Sequence, residues 1–178
     1  MSRQYFGDVL TEPLGVDYTT ITATAETVLI PTVLTPIPAG EARTGKMYEL
    51  LVGGTCTTGA AGTLTITPRY GTVIGGISIG PSLAQQYVPS ITTAPFIFRY
   101  YLIFRAIGLP GTNSVIYGTG EWAAGGAAGT AASATAVYIG STTTASIDAS
   151  IASALWIGVT FSVAPSVIPK WHVWRSLN

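Results

Sequence analysis

Residues 95–106 read Pro-Phe-Ile-Phe-Arg-Tyr-Tyr-Leu-Ile-Phe-Arg-Ala, and no other stretch constrains the fold as strongly. A run so dense in aromatic and β-branched side chains, without a stripe at 3.6-residue spacing, predicts a strand over a helix. Alternation places Phe96, Phe98, Tyr100, Leu102 and Phe104 on one face, and Ile97, Arg99, Tyr101, Ile103 and Arg105 on the other. The second face mixes aromatics with arginines, which suits a half-exposed surface or a contact between subunits.

Similar alternation, punctuated by Gly and Pro, predicts strands over 47–57, 63–70, 76–79, 84–88, 114–122, 134–139, 154–163 and 168–177, and earlier over 18–24 and 27–30. Helix signals are weak; the best is a single turn over 149–153 capped by Asp148. About eight to ten short strands in a Gly- and Thr-rich chain indicate an all-β antiparallel sandwich. A jelly roll fits the count best, and an immunoglobulin-like sandwich or an open barrel are the alternatives.

The first 44 residues differ. Little periodicity runs from residue 1 to 17, and the prolines at 31, 36 and 38 forbid helix and interrupt any sheet ladder. The segment is expected to be an extended arm (1–44) ahead of the sandwich domain (45–178). Its apolar residues Tyr5, Phe6, Val9 and Leu10 are the candidate anchors on another chain.

Charge narrows the function. Eight Lys+Arg balance eight Asp+Glu, and charged residues make up 9% of the 178, against roughly 25% in average domains. Zero net charge lacks the basic footprint that nucleic acid requires. The start of the chain has no apolar signal region, and no stretch of about 18 apolar residues predicts a spanning helix, so no membrane partner is expected. Beyond residue 50 the charges are Arg69, Arg99, Arg105, Lys170, Arg175, Glu121 and Asp148. A domain so poor in charge has little repulsion to keep copies apart, which argues for assembly.

Catalytic material is thin. Cys56 lies in an apolar run without a neighbouring base, as a buried core thiol would. His172, near the end of the chain, reads as a surface or interface side chain. The carboxylates are scattered, and no phosphate loop, nucleophile elbow, metal-ligand spacing or cofactor motif occurs. The expectation is a non-enzyme that needs no metal or cofactor.

From Gly45 onward the order of features resembles a family of small bacteriophage virion proteins with jelly-roll folds: capsid decoration (cement) proteins, head fibres and minor tail proteins. Four stretches carry the resemblance: Gly-Lys-Met-Tyr-Glu-Leu-Leu-Val-Gly-Gly at 45–54, Gly-Thr-Leu-Thr-Ile-Thr-Pro-Arg-Tyr-Gly at 62–71, the aromatic run continuing into Arg-Ala-Ile-Gly at 105–108, and 145–161. The aromatic end, Lys-Trp-His-Val-Trp-Arg at 170–175, departs from the pattern, and the arm lies outside it. The resemblance implies a homotrimer, located on the virion, bound to the major capsid protein or another virion protein. Arg99 and Tyr101 would then lie in the trimer interface. The alternative function is a carbohydrate-recognising receptor-binding domain of a phage fibre or tail, with Trp122, Trp156, Trp171 and Trp174 as candidate sugar platforms.

Overall fold

The aromatic run sits in a 16-residue strand, β8 (Ile91–Ala106), near the middle of a six-stranded sheet. The computed structural model describes residues 8–11, 17–58, 63–71, 77–78, 83–86, 91–109, 112–124 and 135–178. Besides β8 these hold β1 (Asp8–Thr11), β2 (Thr27–Val28), β3 (Pro36–Ile37), β4 (Met47–Thr58), β5 (Thr63–Tyr70), β6 (Ile77–Ser78), β7 (Leu83–Gln86), β9 (Asn113–Ala124), β10 (Thr135–Ser146), β11 (Ser153–Phe161) and β12 (Pro165–Ser176). The front sheet runs β1-β12-β4-β8-β9-β10. The back sheet runs β2-β11-β5-β6, with β3 also on β11 and β7 also on β5. These pairings are antiparallel, and the two inner faces share one core, so the fold is an all-β antiparallel sandwich.

Side-chain alternation explains the layering. Phe96, Phe98, Tyr100, Leu102 and Phe104 are all buried, whereas Ile97 on the opposite face is 48% exposed. In β9 the inward positions include Gly118 and Gly120, and Tyr100 occupies the room they leave: a Cβ on Gly118 would lie 1.9 Å from its hydroxyl. Phe96 stacks on Trp122 with ring centroids 4.4 Å apart, and Tyr48 on Trp174 at 5.0 Å. Phe104 meets Tyr48 and Tyr70 edge-on. Each such ring contributes about 1.5–3 kcal/mol by burial alone.

Proline placement is consistent with the ladder. The β12–β4 register shifts between Pro169 and Trp171, a bulge that tolerates a residue without an N–H. The Pro169 carbonyl is used from outside, accepting from Tyr18 N at 2.9 Å.

The described part of the expected arm belongs to the sandwich itself, a correction to the division at residue 44. Ile21 exchanges hydrogen bonds with Val167 of β12 (2.8 and 3.0 Å). Thr27 and Val28 then pair with Val159 and Gly158 of β11, and Pro36 and Ile37 with Ala154 and Ser153. The chain thus crosses from front sheet to back sheet and closes one side of the core. Its apolar residues Ile21, Leu29, Ile30, Ile37 and Ala42 are each at most 4% exposed. They bury themselves here because β12 and β11 offer unpaired strand edges and an open flank.

Three smaller expectations also change. Residues 18–24 give an isolated bridge at Ile21 in place of a strand. No helical turn forms at 149–153; Asp148 Oδ1 accepts from Ser150 N (2.8 Å) and Oγ (2.6 Å), and this local turn leads into β11. His172 is fully buried, not at the surface, because the inward register of β12 resumes after the bulge.

Candidate assembly face

The outer face of the front sheet carries the candidate site. Cross-strand register places Arg175 of β12 opposite Glu49 of β4, and Arg99 of β8 opposite Glu121 of β9. The two pairs are offset by two residues along the strands, since Glu49 lies opposite Tyr101 and Leu51 opposite Arg99. The four charges therefore form one diagonal across four strands.

Glu49 anchors it. Its side chain is 4% exposed although it points away from the core, because its neighbours cover it. Arg175 donates to its carboxylate through Nε and ion-pairs through Nη2. Arg99 Nε lies 3.5 Å from the other carboxylate oxygen, without hydrogen-bond geometry, and Arg99 Nη1 lies 3.9 Å from Glu121. Tyr101 is held above its ordinary pKa by burial first, then by its hydrogen bond to Glu49 and that residue's charge. Arg99, Tyr101, Thr119, Gly120 and Glu121 line a shallow cleft of about 200 Å³. Around the diagonal, Leu51, Ile103, Tyr117 and Val173 are half-buried. The result is a locally neutral, partly desolvated patch with an apolar surround, an arrangement suited to contact with another surface.

The structure brings Arg99 and Tyr101 together as the sequence suggested, and adds Glu49, Glu121 and Arg175. The tryptophans divide. Trp122, Trp156 and Trp174 are at most 2% exposed, too covered to be sugar platforms; Trp122 and Trp174 are core rings, whereas Trp156 is covered on the outer side of β11, which alternates with the core-facing Leu155 and Ile157. Trp156 lies under the Arg69 guanidinium (5.4 Å to the ring), itself held by Glu26 at 2.9 Å. Trp171 alone of the four is half-exposed, lying over Gly53 on the same outer face as the diagonal. Tyr5 and Phe6 lie outside the described residues. The backbone of Val9 and Leu10 runs in β1, with Val9 opposite Arg175.

Among the described residues no cluster of three His, Cys, Asp or Glu could hold a metal ion, and no helix is long and apolar enough to cross a membrane. Burial pushes the Cys56 thiol up to about 11, so it is protonated and unreactive at neutral pH. Burial holds His172 below its ordinary 6.5, and its Nδ1 shares a hydrogen bond with the Tyr18 hydroxyl. A proton therefore binds the unfolded chain more readily than the folded one. The His172 contribution is fully present above about pH 6.5 and is lost as pH falls toward the folded-state value. Urea midpoints between pH 8 and pH 5 should fall with acidity, and His172→Gln should flatten that slope; an unchanged slope would remove His172 as its source.

A scan of protein-family models finds no match to this chain, and no curated protein or solved structure matches it significantly.

Proposed function

We propose that this chain is a non-enzymatic structural subunit that works by assembling, of the kind that decorates and stabilises a virus shell. The observation that carries the reading is the outer face of the front sheet: a buried Glu49 carboxylate shared by the partly exposed Arg99 and Arg175, with half-buried apolar side chains around the charged row, on a domain with few other charges. Strand order supports it. With β1-β12-β4-β8 facing β2-β11-β5-β6, and β9–β10 as a hairpin added beyond β8, the path supports a jelly-roll reading, an architecture common in capsid proteins. A decorating subunit needs many modest contacts multiplied by valency, and no chemistry.

In this reading contact with the shell falls to Tyr5 and Phe6, ahead of β1. Removing residues 1–7 should abolish shell binding while leaving the melting temperature within a few degrees, because Ile21, Leu29, Ile30 and Ile37 stay in place. Removing residues 1–40 should unfold the domain. Immunogold labelling of virus particles from the native source tests the function itself. Gold spread over the shell supports decoration; gold confined to fibre tips, with saturable binding on a glycan array, would replace it with the carbohydrate reading.

A further inference from the structure

We infer that the outer face of the front sheet docks a second copy of this chain, the two faces meeting across a two-fold axis. This rests on the assembly reading above and deepens it by naming the surface and the partner.

The order of charges carries it. Along the diagonal, Arg175, Glu49, Arg99 and Glu121 alternate in sign across β12, β4, β8 and β9. When two copies of one face meet, their two-fold axis must lie in the plane of contact. An axis perpendicular to the diagonal, passing between Glu49 and Arg99, reverses the row on the second copy. Arg175 of each copy then faces Glu121 of the other, and Glu49 of each lies beside Arg99 of the other. An axis along the diagonal would set like charges face to face. The row is therefore complementary to its own reverse, which is the signature of an isologous contact.

Two further features fit the same axis. Leu51 and Tyr101 flank the midpoint of the diagonal at opposite corners, on Arg99's and Glu49's registers respectively. The perpendicular axis passes close to both, so each side chain meets its own counterpart and supplies an apolar centre inside the charged row. Glu49 is already 4% exposed in the single chain, so covering it removes little further hydration, the usual cost of burying an ion pair. A three-fold ring places different surfaces against each other and would leave this self-complementarity unused.

The test uses the full chain and two charge reversals, Glu121→Lys and Arg175→Glu, each checked for folding by thermal melting. Native mass spectrometry at low ionic strength should give a dimer for the unaltered chain. Each reversal alone sets like charges against each other and should weaken the dimer by at least about tenfold. Mixing the two variants should restore a heterodimer, because the introduced lysine of one copy then faces the introduced glutamate of the other while the remaining contact is native. As a second readout, Leu51→Cys should be joined to its counterpart by a short bis-maleimide, with buried Cys56 left unreacted. A monomeric unaltered chain would overturn this inference, whereas the decoration reading stands or falls on shell binding and immunogold labelling. An oligomer indifferent to both reversals, unrescued by mixing and not cross-linked at position 51, or a trimer, would overturn the two-fold face alone.

Discussion

Replacing Trp174 by alanine is expected to destabilise the domain by about 3–5 kcal/mol, the cost typical of deleting a large buried ring. At this chain length each kcal/mol lowers the melting temperature by roughly 2–4 °C, so a fall on the order of 10 °C or more should be visible in a thermal scan. Three contacts are lost together. Trp174 is fully buried, stacks on Tyr48 at an interplanar angle of 6°, and donates through Nε1 to the Pro36 carbonyl at 2.8 Å. The last of these ties β12 to the N-terminal segment, so the substitution also loosens the crossing that closes the core. Trp171→Ala is the control: that ring is half-exposed on the outer face, and its loss should cost well under half as much. Equal effects from the two would mean that the inward register of β12 is wrong.

Gly54→Ala is the second large effect, expected at about 1–3 kcal/mol or beyond because a Cβ there has nowhere to go. Gly54 faces the β12 bulge, and the added carbon would stand 2.1 Å from the Ile168 carbonyl oxygen and 2.8 Å from both the Pro169 Cα and the Phe96 ring. Two of those obstacles are backbone, so β4 and β12 would have to separate. At the neighbouring Gly53 the nearest obstacle is the Trp171 indole, 2.3 Å away, and a half-exposed ring can swing aside. Gly53→Ala should therefore leave the melting temperature nearly unchanged. Denaturant midpoints for the pair measure the difference directly, and a Gly54→Ala variant as stable as the parent would contradict the close approach of β4 to the bulge.

What is legible in the sequence follows from period. The β8 faces can be assigned residue by residue because a two-residue alternation has only two phases, and burial of Phe96 through Phe104 selects one. The 63–70 strand matches β5 end for end for the same reason, with glycines bounding it. The N-terminal segment defeats such a reading because its contacts come in pieces of two residues, Thr27–Val28 and Pro36–Ile37, too short for any periodicity. Its prolines at 31, 36 and 38 do signal extended chain, but extended chain laid on its own sheet looks no different in sequence from a free arm. Among the tryptophans, Trp171 and Trp174 differ by three positions, and a single bulge decides which one turns inward. Of the charged diagonal, only Arg99 is readable from sequence. Glu49 and Arg175 are 126 residues apart, and only the register of β12 on β4 brings them together.

The proposal at the centre of this picture is that the chain functions through contact with copies of itself. Sedimentation equilibrium of the full chain at micromolar concentration and low salt tests it most directly. The expected result is a particle of twice the 18.4 kDa chain mass, shifting toward monomer as salt screens the charged row. A single species of one chain mass at every concentration and salt would contradict it.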